Sequence, residues 1–160
     1  MNKKILMVYP ESPSTFWSLK HTLKIVDKKS LMPPLGLLTI AALLPACYDV
    51  KLVDMNVTEL TDSDISESDI VFISAMIIQK DSFREVITRC NRLNVPVAAG
   101  GPYPTTSYKN IEGVNCFLLG EGESSIHSFI KDFEKGSIKA VYTAGSRPDT
   151  VPCAPLAPFT

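Results

Sequence analysis

The sequence predicts an α/β fold, a doubly wound parallel sheet of about five strands. Three features carry this expectation. Runs such as Lys4–Tyr9 (KILMVY), Ile70–Met76 (IVFISAM) and Val95–Gly100 (VPVAAG) are apolar with little polar alternation, the pattern of strands buried on both faces. Segments with helical spacing separate them, so strand and helix alternate about five times within about 135 residues. The runs end in Pro10, Ser74-Ala75-Met76 and Gly100-Gly101-Pro102, small or turn-forming residues at carboxyl ends of strands, where open α/β sheets place ligands.

Taken in order, Lys4–Tyr9 is a first strand stopped by Pro10. Residues 11–32 form a long connection with a weak helical period, a length that calls for a function or a short helix. Pro33-Pro34 opens a helix over Leu35–Leu44; it is apolar nearly all round and is therefore expected to be deeply buried. Asp49–Asn56 is a second strand, with Asp54 and Asn56 at its carboxyl end. The acidic stretch 58–68 holds a short helix, and Ile70–Met76 is the third strand. Asp81 is the expected cap of a helix in which Phe83, Val86, Ile87 and Cys90 recur at helical spacing up to Asn94. After the fourth strand, 108–113 reads as polar linker and Asn115–Leu119 as a fifth strand. Ser124 or Ser125 is the expected cap of a helix that closes at Gly136, and Lys139–Thr143 adds an edge strand. Four prolines in the last thirteen residues make 146–160 an extended linker after a domain over residues 1–145.

A chain of 160 residues with 45% hydrophobic and 21% charged residues suits one globular domain. Sixteen basic against seventeen acidic residues argue against electrostatic capture of nucleic acid. Cys47, Cys90, Cys116 and Cys153 show neither zinc nor Cys-x-x-Cys spacing and are expected reduced, mostly buried and cytoplasmic. The apolar segments are too short for a membrane span.

Several ligand-binding versions of such a sheet do not match. A phosphorelay receiver needs an aspartate after strand three, where Ser74-Ala75-Met76 stands. A flavodoxin cradles phosphate directly after strand one, but that loop has no glycine and two prolines that donate no amide. A dinucleotide fingerprint needs three glycines after an early strand, whereas Gly120-Glu121-Gly122 follows the last one and sets carboxylates where a diphosphate would lie.

Seven stretches occur in an order and spacing that carry a resemblance: Val8-Tyr9-Pro10-Glu11; Thr15-Phe16-Trp17-Ser18; Pro33 to Thr39 with Ala41 to Pro45; Leu52 to Asn56; Ser74-Ala75-Met76; Ala99-Gly100-Gly101-Pro102; and Gly120-Glu121-Gly122-Glu123. Together they resemble the N-terminal cobalamin-binding domain of B12-dependent radical SAM proteins, most closely the branch that includes hopanoid C-2 methylases. The resemblance implies a flavodoxin-like, Rossmann-type sheet in strand order 2-1-3-4-5 with cobalamin across its carboxyl edge. It also implies a radical SAM barrel that uses S-adenosylmethionine and a [4Fe-4S] cluster in the intact protein. No Cys-x-x-x-Cys-x-x-Cys is present, so this chain alone is not expected to perform the radical step.

The resemblance also suggests roles. The chain lacks the Asp-x-His-x-x-Gly loop that ligates cobalt in the wider cobalamin fold, so no protein histidine ligand is expected; Pro10, Phe16 or Trp17 would line that face. Ser74, with Ala75 and Met76, would turn a hydroxyl toward the nucleotide tail, and Gly100, Gly101 and Pro102 would let the tail pass close to the backbone. A large residue at Gly101 is then expected to weaken cobalamin binding with the fold intact. Leu35 and Gly36 would touch the ring. Asp54 and Asn56 would bond corrin amides or cap their own turn. Gly120, Glu121 and Gly122 stand at a helix start, where a structural role for the carboxylates is as strong as ligand contact. The implied function is the cobalamin module of a methyltransferase acting on an unactivated carbon. A domain without cobalamin that serves as an interaction surface, and a flavin or nucleotide binder, remain alternatives.

Overall fold

The computed structural model describes residues 2–13 and 33–143; Phe16, Trp17, His21 and the linker 146–160 lie outside the described residues. The sheet contains β1 (Lys4–Tyr9), β2 (Asp49–Asp54), β3 (Ile70–Ser74), β4 (Val97–Gly100), β5 (Cys116–Leu119) and β6 (Val141–Thr143). Every pairing is parallel, in the order β2-β1-β3-β4-β5-β6. This is the flavodoxin-like order, extended at one edge by the strand anticipated near Lys139–Thr143. The helices are α1 (Leu35–Leu43), α2 (Asp62–Ser66), α3 (Lys80–Arg92), α4 (Pro102–Ser107) and α5 (Gly122–Glu134).

The strand register explains the unbroken apolar runs. Ile5, Met7, Ile70, Phe72, Ala98, Cys116 and Leu118 share a core with Leu37 of α1 and Ile126, Phe129 and Phe133 of α5. The alternate residues, Leu6, Val8, Val71, Ile73, Val97, Ala99, Phe117 and Leu119, pack with Ile65, Phe83, Val86, Ile87 and Tyr103 from α2, α3 and α4. Because side chains alternate along a strand, a sheet covered on both faces requires apolar residues at successive positions.

Three local expectations are corrected. First, α1 is not deeply buried: Leu35 is 67% and Leu38 43% exposed, and only Leu37 is fully buried within it. An all-apolar helix does not specify its inner face, and this one meets the sheet along a single narrow line. Second, Asp81 lies in the first turn of α3 rather than at its cap, because a 3₁₀ turn (Ile77–Gln79) leads directly into the helix. Third, α5 starts at Gly122, with Glu121 rather than a serine at its N-cap; Ser125 instead bonds back to the Gly122 carbonyl. Residues 102–107, to which the sequence assigned no element, form α4, begun by a proline at its first position, where the missing N–H has no intrahelical partner to lose.

The exits of β1 and β3 are tied by Gln79, a polar side chain only 1% exposed. Its Nε2 donates to the Pro10 carbonyl at 2.7 Å, and its Oε1 accepts the Met76 N–H at 2.9 Å. These exits flank the switch point at which the strand order reverses, the usual ligand crevice of such sheets.

Gln79→Leu takes the side-chain partner from the Met76 N–H and leaves the Pro10 carbonyl only its longer bond from Asn56, and should lower stability by about 1–3 kcal/mol. A change below about 0.5 kcal/mol in urea unfolding would show that the clamp is not formed in solution. Burial pushes the thiol of Cys90 up to about 11 and that of Cys116 to about 12, whereas Cys47 is exposed. Iodoacetamide at pH 8 should therefore label Cys47 in the native protein and reach Cys90 and Cys116 only in urea, as read by peptide mass spectrometry.

Candidate functional site

Every strand of a parallel sheet delivers its following loop to the same edge, so Pro10, Asp54, Ser74, Gly100 and Gly120 come together from five separate parts of the chain. Hydrogen bonds link neighbouring exits. The Met55 N–H donates to the Tyr9 carbonyl at 2.9 Å, joining β2 to β1. Gln79 joins β1 to β3, and the Ala75 N–H reaches the Gly100 carbonyl at 3.4 Å. The Gly120 N–H donates to Oγ1 of Thr105 at 3.1 Å, so α4 links β4 to β5.

Around this edge the anticipated residues separate into two groups. Gly36, Ser74, Gly100, Gly101, Gly120, Glu121 and Gly122 line one groove of about 160 Å³ between α1, α5 and the ends of β3, β4 and β5. Leu37, Ile40, Phe72, Ile73, Leu118 and Glu123 complete its lining. Sequence reading missed the apolar members because a groove-lining leucine and a core leucine carry the same signal. Leu37 and Ile40 of α1 thus belong to the groove lining as well as to the core.

The second group surrounds the exits of β1 and β2. Asp54 accepts from the Asn56 N–H at 2.9 Å and from Asn56 Nδ2 at 2.8 Å. Asn56 also donates to the Pro10 carbonyl at 3.2 Å and accepts from the Ser12 N–H at 2.9 Å. Of the two roles anticipated for Asp54 and Asn56, these bonds describe the turn-forming one. Pro10 is buried, Leu35 and Pro102 are exposed, and none of these three lines the groove. Ala75 is buried and Met76 half-buried beside Gln79. At the end of β1, burial raises the Tyr9 hydroxyl above its ordinary range; a hydrogen bond with Gln79 opposes this and the charge of Asp54 adds to it. The phenol therefore stays protonated at neutral pH. Among the described residues, His127 is exposed on α5 and does not line the groove.

The glycines differ in what they do. Gly101 has φ 91° and ψ −178°, a conformation available essentially to glycine alone. A Cβ there would meet Oγ of Ser74 at 2.5 Å and the Ala75 N and O at 3.2 and 3.3 Å. The expectation that a large residue at Gly101 would leave the fold intact is thus overturned, since the turn itself needs this glycine. Gly100 lies against the Leu118 carbonyl, 3.1 Å from where its Cβ would be. Beside Gly36 and Gly120, by contrast, no atom lies within 4 Å of a built Cβ. The groove is therefore open where those two glycines border it, and its floor is bare backbone with one hydroxyl.

Such a site suits a ligand that passes close to backbone over a sheet edge, and a cobalamin cofactor fits it on this ground. Residues 24–130, which reach from before α1 into α5, match the B12 binding domain family. An uncharacterized methyltransferase of Synechocystis sp. is 36% identical over 148 residues, covering 91% of this chain and 28% of that protein. The hopanoid C-2 methylase of Rhodopseudomonas palustris is 31% identical over 153 residues, 92% of this chain and 29% of the methylase. The bacteriochlorophyllide d C-12(1)-methyltransferase of Chlorobaculum tepidum is 27% identical over 146 residues, 90% of this chain and 30% of that enzyme. The chain thus spans less than a third of the length of these curated relatives. With a flavodoxin-like sheet, a glycine-floored groove at its carboxyl edge and a family match that runs through four of the strand exits, the chain belongs to the B12 binding domain family.

Proposed function

We propose that this chain is the cobalamin-binding module of a B12-dependent radical SAM methyltransferase that acts on an unactivated carbon. The observation that carries the cobalamin reading is the family match over residues 24–130, laid on a sheet edge whose groove is floored by Gly100, Gly101 and Gly120. Methyltransferase relatives of about three times the chain's length support the larger enzyme. S-adenosylmethionine and a [4Fe-4S] cluster would be bound by a barrel domain of the same protein.

When bound, cobalamin supplies the cobalt that carries a methyl group. The chain's own residues bind and orient it. Gly36 and Gly120 leave room for close approach to backbone, Ser74 offers one hydroxyl, and Leu37, Ile40, Phe72 and Leu118 form the apolar groove wall. Gln79 keeps the β1 and β3 exits at a set separation, so the crevice is formed before the cofactor arrives. Among the described residues, no histidine lines the groove. A flavin reading has no comparable support, because the family match over residues 24–130 is to a B12 binding domain.

Titration with hydroxocobalamin, followed by visible absorption, should give saturable binding, and the same titration with FMN should give none. Binding of FMN with no response to hydroxocobalamin would overturn the assignment. Gly36→Phe fills open space next to the groove without a backbone penalty, since no atom lies within 4 Å of its Cβ and its conformation is helical. It should weaken hydroxocobalamin binding by about tenfold or more while the unfolding midpoint stays within about 0.5 kcal/mol of the parent protein. Undiminished binding would remove Gly36 from the site.

A further inference from the structure

We propose that Ile77 and Ile78, on the short turn between β3 and α3, are the seat on which the corrin macrocycle of cobalamin rests, with Leu35 at its margin. The inference rests on the cobalamin reading above, and it starts from size. The groove measures about 160 Å³, room for about one small ring, whereas pockets that enclose a ligand of ordinary drug size run to about 300–1,000 Å³. Cobalamin is larger than such ligands. Most of it, the broad macrocycle included, must therefore lie against the surface that adjoins the groove.

That surface is apolar just past the end of β3. Ile77 is 62% and Ile78 57% exposed, and Leu35 at the start of α1 is more exposed still. Each stands close in sequence to a groove-lining residue: Leu35 next to Gly36, and the isoleucine pair shortly after Ser74. Single exposed apolar residues are common on any protein surface and by themselves mark nothing. Here the backbone holds two of them out together. The Gln79 N–H donates to the Met76 carbonyl at 3.0 Å, and the Met76 N–H donates to Oε1 of Gln79 at 2.9 Å. Ile77 and Ile78 are the two residues between, so the turn cannot fold them inward without breaking these bonds. Because Nε2 of Gln79 donates to the Pro10 carbonyl, the pair also keeps a set position relative to the β1 exit, across the switch point.

An apolar surface that is already held in place loses little freedom when a ligand covers it, so its contact favours binding nearly undiminished. The macrocycle suits this surface in shape and chemistry. It is a broad, nearly flat ring with a methyl-bearing rim, wide enough to cover two adjacent β-branched side chains at once. Its contact with them releases water from apolar surface and adds dispersion attraction, and neither effect needs a charge or a ligand to cobalt from this turn.

The test is a pair of equilibrium titrations followed by visible absorption, one with hydroxocobalamin and one with cobinamide, which has the macrocycle and lacks the nucleotide tail. The parent protein should bind both, cobinamide the more weakly. In the Ile77→Ser/Ile78→Ser double variant, checked for fold by circular dichroism, both affinities should fall about tenfold, the loss that goes with about 50 Å² of apolar contact. Ile77→Ser alone should lose about threefold for each ligand. Val141→Ser removes an exposed apolar side chain from the first residue of β6, away from the carboxyl edge, and should leave both affinities unchanged. Undiminished hydroxocobalamin binding by the double variant, a loss for hydroxocobalamin with none for cobinamide, an equal loss with Val141→Ser, or a parent protein that does not bind cobinamide would overturn the seat and leave the cobalamin reading standing. Failure of hydroxocobalamin itself to bind the parent protein would overturn both.

Discussion

The carboxyl edge of this sheet depends on one buried amide. Gln79, itself almost wholly buried, donates to a carbonyl from the β1 exit and accepts from an N–H of the β3 exit at once. Strands β1 and β3 are neighbours in the sheet but are separated in sequence by α1, β2 and α2. Their loops leave in opposite directions at the point where the strand order reverses, and backbone hydrogen bonding of the ladder ends there. A side chain with one donor and one acceptor, placed on a 3₁₀ turn immediately after β3, takes over from the ladder. The Asp54 and Asn56 bonds extend the same fastening to the β2 exit, and Thr105 extends it to β5.

With the exits fastened, the glycines divide into those the fold consumes and those it leaves for a ligand. Gly101 belongs to the first class: its backbone conformation and the closeness of Ser74 and Ala75 both forbid a side chain. Gly36, helical and with open space beside it, belongs to the second, whereas Gly120 combines open space with a φ of 76° that its turn requires of a glycine. The B12 binding family match covers both classes, so a match alone does not sort them. The geometry around each Cβ position does, because a steric requirement is met by atoms within van der Waals contact and a ligand requirement by their absence.

The electrostatics follow from the same arrangement. Carboxylates near a helix start are ordinarily a stabilising feature of modest size, about 0.3–1 kcal/mol each. Here the start of α5 also borders the groove, so Glu121 and Glu123 line the groove as well as standing at the start of their own helix.

From the sequence by itself came the alternation of strand and helix, the extents of β1 and β5 to within a residue, and the cluster of turn-forming residues at strand exits. These are local signals, set by apolar runs, β-branched content and punctuation by proline and glycine. The resemblance added the strand order and the identity of the ligand. Tertiary structure alone decided the rest. Whether α1 shows Leu37 or Leu38 to the sheet is invisible in an all-apolar helix, because every face satisfies the hydrophobic pattern. α4 was hidden because two prolines read as loop until their place in a first turn is known. Gln79 carried no signal at all, since a glutamine after a strand reads as solvated unless its partners, contributed by strand exits far apart in sequence, close around it. Which glycine serves the turn and which the ligand was likewise a matter of what packs against each, and packing exists only once distant strands have paired.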